Sequence, residues 1–362
     1  MIIGVPSEVK NNENRVGLTP DSAKKIVASG HDVLIQKDAG ANIGFFDEQY
    51  LSAGAKILDS GEDVYKSSEM IVKVKEPIPE EYPFLRDDLT LFTYLHLAGD
   101  PENAKKLIDT GVTGIAYETV TAADGSMPLL APMSTIAGQL AIVVGSYHLL
   151  KHNKGKGVMI GKLDSIEPRV VTVIGAGVAG TQSISKALDN HALVKVLDTS
   201  ESKLQQLESE FGSSNIEYIL STSDSVQSAI NESDMVIGSV YVVGKEAPKV
   251  VSRDMLKSMN PGTVMVDVSI DQGGCFESSR PTTHDNPTFL ENDIVHYCVT
   301  NMPGAVPLTA TQALNKVTLS YIEDLANKGV ENALIDDEHL RNGLNMQNGE
   351  ITHPAVKDAL NN

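Results

Sequence analysis

The feature that most constrains the fold is a glycine-rich segment, Gly175 to Gly180, which directly follows a β-branched run, Val170 to Ile174. Its glycines have the GxGxxG spacing, and Asp198 ends the next apolar run eighteen residues after the last of them. In a strand–turn–helix unit the first glycine permits a tight turn. The second lets backbone N–H groups approach a pyrophosphate, and the third allows close helix–strand packing. The spacing alone is a weak signal, but its context favours a dinucleotide site over a glycine turn with an incidental Asp.

The acidic residue after this segment predicts which dinucleotide is bound. Asp198 can accept hydrogen bonds from the ribose hydroxyls of an adenosine, and its charge repels a 2′-phosphate. The sequence therefore predicts NAD rather than NADP. FAD is an alternative, but flavoproteins usually carry such a fingerprint at the N-terminus, whereas here it follows a complete α/β segment. This arrangement is typical of a nicotinamide-dependent dehydrogenase with a separate substrate domain.

Apolar runs alternate with helical segments along the chain, which predicts βαβ units and mostly parallel sheets. The predicted fold class is α/β, with two Rossmann-like doubly wound domains and a cleft between them. We expect a substrate domain of residues 1–135 plus 307–362 and an NAD-binding Rossmann domain of residues 136–306. The predicted strands are Met1 to Val5, Asp32 to Gln36, Met70 to Val74, Thr90 to Leu95, Gly114 to Tyr117, Val170 to Ile174, Ala192 to Leu197, Met235 to Gly238, Val264 to Val268 and Val295 to Val299.

Helix signals fill the segments between these runs. Thr19 followed by Pro20 predicts an N-cap and a first helical residue, and Gly30 predicts the end of that helix. The segment from Met133 to Leu150 is predicted to be a long connecting helix, and the chain from Pro307 onward to be helical.

Charge and composition exclude several classes of partner. The chain of 362 residues has 29 basic and 48 acidic side chains, a formal net charge of −19. It should therefore repel nucleic acids and anionic membrane surfaces, so that an anionic substrate needs local cations. Residues 126–150 lack charged side chains, but their proline, glutamine and histidine favour a buried helix over a membrane span. Gly138 and Gly145 lie near one face of that helix and suit close packing.

The cysteine count indicates the compartment. Cys275 and Cys298 are the only two cysteines, too few for a disulfide framework, which favours a reducing, cytoplasmic location. Neither has a basic neighbour in sequence, so both are predicted to be buried thiols.

Candidate substrate residues follow predicted strands of the first domain. Arg15 and Lys75 could bind a carboxylate, and His96 could act as a general acid/base. The ends of parallel strands gather ligands, so these side chains can converge. The alternatives are solvated surface charges for Arg15 and Lys75 and a satisfied core residue for His96. Asp271 precedes paired glycines after another strand and is either a group near the nicotinamide or an ordinary Asx turn.

The motifs around these residues jointly resemble the alanine dehydrogenase family over nearly the whole chain. The matching stretches are Gly4 to Glu8, Arg15 to Pro20, Val74 to Pro77, Leu95 to Ala98, Ala116 to Val120, Leu129 to Ser134, Val173 to Gly177, Asp271 to Glu277 and Thr300 to Pro303.

The resemblance implies an activity and roles for individual residues. The activity is reversible oxidative deamination of L-alanine by NAD to pyruvate and ammonium. Arg15 and Lys75 would bind the substrate carboxylate and carbonyl, and His96 and Asp271 would move protons through an iminium and a carbinolamine. The cofactor-binding set would be Ser134, Gly175, Gly177, Val178, Ala179, Gly180, Asp198, Lys203, Ser221, Val240, Tyr241, Val268, Ser269, Ile270, Asp271, Arg280, Val299, Thr300, Asn301 and Met302.

The resemblance also bears on metal, assembly and rival functions. Some family members bind magnesium through an acidic residue and a histidine in a late helix; here those positions are Asp324 and Lys328, so no metal is predicted. The family is usually hexameric, which implies a homo-oligomer. The alternatives are the NAD-binding component of proton-translocating transhydrogenase, which needs membrane partners, and a non-catalytic NAD-binding module. The presence of Lys75, His96 and Asp271 favours the dehydrogenase.

Overall fold

Short apolar runs form the strands of two separate, mostly parallel sheets in the computed structural model, which describes residues 1–242 and 246–361. The chain divides into two units. The first unit comprises Met1–Met133 and the chain from Gly304 onward, and the second unit comprises Ser134–Pro303. The predicted fold class, α/β with two doubly wound sheets, is confirmed.

The first unit contains a parallel sheet of six strands with an antiparallel extension. Its order is β3-β2-β1-β4-β5-β6, followed by β14 and β15, which are antiparallel. The N-terminal part of the unit consists of β1 (Ile2–Val5), α1 (Pro20–Ala28), β2 (Asp32–Gln36), α2 (Asp47–Ser52), β3 (Lys56–Leu58), α3 (Gly61–Ser67), β4 (Met70–Val72), β5 (Thr90–Thr93), α4 (Pro101–Asp109) and β6 (Thr113–Ala116).

The second unit repeats the same strand order. Strands β9-β8-β7-β10-β11-β13 are parallel, and β12 pairs antiparallel with β13 at the edge. The elements are α5 (Ala131–His148), which begins at the boundary of the two units, then β7 (Val170–Ile174), α6 (Val178–Asp189), β8 (Leu193–Asp198), α7 (Glu201–Phe211), β9 (Ile216–Leu220), α8 (Ser223–Glu232), β10 (Met235–Gly238), β11 (Val264–Asp267), β12 (Thr288–Glu291) and β13 (Ile294–Tyr297).

The C-terminal segment rejoins the first unit. It consists of α9 (Pro307–Lys328), α10 (Val330–Asp336), α11 (Glu338–Arg341), β14 (Leu344–Gln347), β15 (Glu350–Ile351) and α12 (Pro354–Asn361). Helix α9 fixes the loop that follows β1 through two polar side chains. Thr311 Oγ1 accepts from the Val16 N–H at 3.2 Å, and Asn315 Oδ1 accepts from the Thr19 N–H at 2.8 Å.

The C-terminal segment is also where the sequence prediction is partly wrong. It was expected to be helical, but β14 and β15 form a hairpin that extends the first sheet beyond β6. The turn between them is Asn348-Gly349, and both residues have positive φ, 53° and 75°. Asn-Gly readily adopts such a turn because its backbone twist matches that of the flanking strands.

Other boundaries shift by only a few residues. The predicted N-cap is confirmed, since the Thr19 side chain accepts from the Ser22 N–H. Strands β4 and β5 end earlier than predicted, at Val72 and Thr93, because the chain leaves the sheet there to form the loops described below.

Helix α5 packs closely inside the second unit, as its small residues predict. A Cβ at Gly138 would lie 2.1 Å from the Ala179 carbonyl oxygen, and one at Gly145 would lie 2.6 Å from Met235 Sδ. Within the described residues, no helix is both long and apolar enough to cross a membrane.

These two contacts predict that a glycine-to-alanine substitution lowers the free energy of unfolding by different amounts at two positions of the same helix. Gly138→Ala should lower the free energy of unfolding by about 2 kcal/mol, because backbone must shift to admit the methyl group. In Gly145→Ala the flexible Met235 side chain can move, and the gain in helix propensity, about 1 kcal/mol, offsets much of the strain. Denaturant unfolding of both variants measures the difference. Equal stabilities would contradict this packing.

Candidate active site

Three predicted residues of the first unit follow carboxyl ends of its parallel strands. Arg15 follows β1, Lys75 follows β4 and His96 follows β5. Strands β1 and β4 are neighbours, and the strand order reverses between them. In open α/β sheets, ligands bind outside the carboxyl ends of the strands at this reversal. The topology therefore brings the three side chains to the expected edge of one sheet.

Arg15 is a buried ion, not a surface charge. Its side chain is 2% exposed and forms a bidentate pair with Glu13, with 2.7 Å between Nε and Oε1 and 2.5 Å between the second nitrogen and Oε2. Burial opposes the charge, but the hydrogen-bonded Glu13 outweighs it and raises the guanidinium pKa above its usual value. A further guanidinium nitrogen lies 3.2 Å from Met133 Sδ, which is a weak acceptor.

Lys75 belongs to a second buried charge group. The residue is 9% exposed, and its Nζ lies 3.8 Å from Glu76 Oε2. Glu76 also accepts a hydrogen bond from Lys10 through Oε1, whereas its buried Oε2 has no hydrogen-bond partner. Burial opposes ionisation of Glu76, but Lys75, His96 and Lys10 together lower its pKa to about 2. The surface interpretation of Lys75 is therefore wrong as well.

His96 stands in an unusual backbone conformation beside this group. Its φ is +52°, in the left-handed region that non-glycine residues rarely adopt. Glu118 stabilises the turn by accepting from the His96 N–H at 2.6 Å and from the Leu95 N–H at 3.1 Å. The side chain is 35% exposed and its Nδ1 has no hydrogen-bond partner, although it lies 3.7 Å from Glu118 Oε1. The alternative of a satisfied core histidine is wrong.

Tyr94 lies near both Arg15 and His96. Its ring lies 5.7 Å from that of His96, and its hydroxyl donates to the Leu129 carbonyl at 2.6 Å. Burial raises the Tyr94 pKa above its usual range, while the nearby Arg15 charge opposes that shift. Tyr94 therefore stays neutral between the arginine and the histidine.

The second unit carries the glycine turn at its own strand reversal, between β7 and β10. Gly175 has φ +93° and lies so close to the Ser239 carbonyl that a Cβ would be 2.6 Å from its oxygen. A Cβ at Gly180 would lie 1.9 Å from the Gly175 oxygen, whereas a Cβ at Gly177 would meet open space. Since Gly177 caps the N-terminus of α6, the turn leaves room for a phosphate there.

Asp198 is tied to this turn. Its Oδ2 accepts from the Ala176 N–H at 2.8 Å and its Oδ1 from the Ser200 N–H at 2.9 Å. The neighbouring Ser221 donates its backbone N–H to the Asp198 carbonyl. The carboxylate is half-buried at the carboxyl end of β8. The residues present therefore fit a dinucleotide, with a phosphate at the glycine turn and a ribose beside Asp198.

Asp271 lies in an exposed turn that a buried carboxylate organises. Asp267, at the end of β11, accepts from the Ser269 and Cys275 N–H groups at 3.0 and 2.9 Å and from the Ser279 hydroxyl at 2.5 Å. Burial raises the Asp267 pKa. The segment from Ser269 to Ser279 is thus fixed at both ends, with Asp271 exposed in between.

Most remaining predicted cofactor residues lie in loops that follow strands of the second sheet. Val240 and Tyr241 follow β10, Val268 and Ile270 follow β11, and Val299, Thr300, Asn301 and Met302 follow β13. Ser134 and Lys203 lie within α5 and α7, Val178 and Ala179 begin α6, and the Arg280 guanidinium lies 4.1 Å from the Phe289 ring centroid.

The sequence reasoning missed the carboxylates that support these groups. Glu8, Glu13, Glu118 and Asp267 are the missed members, each bonded to the backbone of a predicted residue or of its loop. An acidic residue at or just after the end of a buried strand is a local signal for Glu118 and Asp267, whereas Glu8 and Glu13 lie farther along their loop and have no such signal.

The cysteines agree with their sequence interpretation. Cys275 and Cys298 are free and fully buried, as predicted. Lys328 Nζ lies 3.8 Å from Asp324 Oδ1 and 3.6 Å from Asp336 Oδ2. Among the described residues, no group of three or more His, Cys, Asp or Glu side chains is arranged to hold a metal ion.

Comparison with known proteins gives the family. The models "Alanine dehydrogenase/PNT, N-terminal domain" and "Alanine dehydrogenase/PNT, C-terminal domain" match residues 4–137 and 141–354. The alanine dehydrogenases of Halomonas elongata and Bacillus subtilis are 48% and 47% identical, over 99% and 98% of this chain and 96% and 94% of theirs. A solved L-alanine dehydrogenase is 45% identical with a TM-score of 0.95, covering 100% of this chain and 99% of that one.

A transhydrogenase from Sinorhizobium meliloti has a TM-score of 0.83 over 98% of this chain and 100% of its own, but at 24% identity it shows a shared fold alone. The two family models and the relatives that span nearly all of the chain confirm the resemblance carried by its motifs: this chain belongs to the alanine dehydrogenase/PNT family.

Proposed function

We propose that the chain is an NAD-dependent L-alanine dehydrogenase, which oxidises L-alanine reversibly to pyruvate and ammonium. Its similarity to curated alanine dehydrogenases over nearly the full chain makes it an oxidoreductase that acts on the CH–NH2 group of an amino acid with a nicotinamide dinucleotide. The observation that carries the substrate proposal is the placement of Arg15, Lys75 and His96 beyond the carboxyl ends of β1, β4 and β5, which are adjacent strands of the first sheet. No corresponding cluster would be needed by a module that only bound a dinucleotide.

Arg15 and Lys75 are suited to bind the substrate carboxylate and carbonyl. One Arg15 nitrogen faces the thioether of Met133, and a carboxylate oxygen is a much stronger acceptor than sulfur. Lys75 Nζ is too far from Glu76, at 3.8 Å, for a strong hydrogen bond. Each cation has a carboxylate neighbour, Glu13 for Arg15 and Glu76 for Lys75. These local cations are how a chain of net charge −19 would attract an anionic substrate.

His96 and Asp271 are proposed to move protons. The His96 imidazole is partly exposed, so the ring can exchange a proton with a bound substrate or water through its exposed side, while its buried Nδ1 lies 3.7 Å from Glu118 Oε1. Oxidation of an amine gives an iminium, and water must then lose a proton as the carbinolamine forms. Asp271, exposed on its fixed turn, is the second proton carrier. When bound, the nicotinamide ring would accept the hydrogen and electron pair that leave Cα.

The second unit is proposed to bind NAD. The glycine turn and the N-terminus of α6 would hold the pyrophosphate, and Asp198 would accept from the adenosine ribose hydroxyls. The support for NAD over NADP is the Asp198 carboxylate itself, which is hydrogen-bonded to Ala176 at the turn and would repel a 2′-phosphate. The other predicted cofactor residues, in the loops after β10, β11 and β13, would line the rest of the dinucleotide.

The remaining proposals concern location and assembly. We infer a cytoplasmic enzyme that uses small-molecule substrates and forms a homo-oligomer, with a hexamer as the expected form from the family resemblance. The two buried thiols and the acidic charge support a reducing compartment without nucleic-acid partners. Sedimentation or light scattering of the purified chain measures the assembly.

The substrate and cofactor proposals predict one pattern of turnover. NADH absorbance should rise when the purified chain is given NAD and L-alanine at mildly alkaline pH, because deprotonation of the amine favours oxidation. Matched assays with D-alanine, L-glutamate or L-lactate, and with NADP, should give no comparable rate. Binding of NADH without alanine-dependent turnover would instead favour the non-catalytic module or the transhydrogenase component.

The proposed role of His96 predicts that loss of its imidazole impairs turnover but not the binding of NADH. His96→Ala should lower kcat by at least about 100-fold, the usual contribution of a positioned acid/base group, while the Kd for NADH stays unchanged. Steady-state kinetics and NADH fluorescence titration measure the two quantities. A loss of NADH binding in this variant would indicate a structural role for His96 and contradict the assignment.

A further inference from the structure

The main chain at Lys75, which follows β4, is held by Glu8, which follows the neighbouring strand β1. Glu8 has no assigned role. Glu8 lies in the loop after β1, and its side chain is 2% exposed. Its Oε1 accepts from the Val74 N–H at 2.7 Å and lies 3.4 Å from the backbone nitrogen of Lys75. These amides have just left the sheet at the end of β4, so a side chain replaces the strand partner they lack.

Lys73 anchors the same segment through its ammonium group. The residue is completely buried, with Nζ hydrogen-bonded to Glu81 and 3.6 Å from Glu8 Oε2. Burial opposes its charge, but Glu8 and Glu81 outweigh that cost and raise the Lys73 pKa. One ammonium thus faces two carboxylates, of which Glu81 is further satisfied by the Tyr65 hydroxyl at 2.8 Å and the Ile78 N–H at 3.0 Å.

Lys73 interacts more weakly with Glu8 than with Glu81, because its ammonium is hydrogen-bonded to Glu81 and lies 3.6 Å from Glu8 Oε2. Burial raises the pKa of Glu8 to about 6 even though Lys73 opposes that shift. At the neutral to alkaline pH of the proposed reaction Glu8 is ionised, and a charged acceptor binds backbone N–H groups more strongly than a neutral one.

The carbonyl side of Lys75 is fixed as well. Its oxygen accepts from Thr93 Oγ1, at the end of β5, at 3.0 Å. The main chain of Lys75 is therefore held by Glu8 from β1 and by Thr93 from β5, on either side of β4.

We propose that Glu8 is a positioning residue for substrate binding, because it orients Lys75 through the backbone amides of Val74 and Lys75. This inference rests on the proposed function only for the role of Lys75; the clamp itself is a property of the fold. Since Glu8 belongs to the first unit, whereas the glycine turn and Asp198 belong to the second, its removal should affect the amino acid and not the cofactor.

The test compares Glu8→Ala, which removes the acceptor, with Glu8→Gln, which keeps an amide oxygen for the Val74 N–H. In Glu8→Ala, hydrogen exchange at the Val74 and Lys75 amides should accelerate by about tenfold or more, as expected for the loss of a buried hydrogen bond. The KM for L-alanine should rise by a similar factor while the KM for NAD stays within about twofold. Glu8→Gln should recover part of both effects, because its amide oxygen still accepts from the Val74 N–H but more weakly than a carboxylate does.

Tyr65→Phe is the matched control, because it removes a buried hydrogen bond from Glu81 on the far side of Lys73 and leaves the Val74 contact intact. It should alter neither the exchange of these amides nor the KM for L-alanine. If Glu8→Ala does not fold, Glu8→Asp replaces it, since a side chain one methylene shorter retains the charge but draws the carboxylate away from Val74.

Several results would overturn the inference. One is that hydrogen exchange at the Val74 and Lys75 amides is unchanged in Glu8→Ala. Another is that the KM values for L-alanine and for NAD rise equally in that variant. The third is that Glu8→Gln behaves like Glu8→Ala. Wild-type protein without alanine-dependent turnover would contradict the proposed function instead. The amide exchange would in that case still decide whether Glu8 clamps Lys75.

Discussion

Lysine and arginine side chains can be buried beyond the carboxyl ends of β1 and β4 only because each of them has a carboxylate beside it. Arg15 is paired with Glu13, Lys73 with Glu8 and Glu81, and Lys75 with Glu76. Removing a single partner from such a group would leave an uncompensated ion in the interior, which is strongly destabilising. The same pairing places Arg15 and Lys75 beside carboxylates where the strand order reverses, and these two cations are the ones proposed to bind the substrate in a chain whose overall charge repels anions.

The second unit reaches its function by a different physical route. Its glycine turn would recognise a phosphate by shape, since Gly175 and Gly180 permit a backbone approach that any side chain would obstruct, and Gly177 leaves space at a helix N-terminus. A single carboxylate, Asp198, is the group proposed to select NAD. Both units share one strand order, yet one sheet edge is filled with paired ions and the other with main-chain donors. The fold thus supplies a common location, and the local residues supply the chemistry.

Patterns local in sequence were predictable, whereas contacts distant in sequence were not. The alternation of strands and helices, the cap at Thr19 and the turn at Gly175 depend on neighbouring residues and follow from the sequence. The roles of Glu8 and Asn315 depend on partners 66 and 296 residues away, so no local pattern reports them. The Asn348-Gly349 hairpin is a different case. Its turn signal was present, but the preceding helical segment obscured it.

In the proposed reaction, this chain oxidises the Cα of L-alanine directly with NAD. L-alanine deuterated at Cα provides the most direct test. After turnover with NAD, mass spectrometry of the isolated NADH should find the deuterium on the dinucleotide. Unlabelled NADH, with deuterium released to solvent, would contradict direct transfer and with it the assignment of the two units.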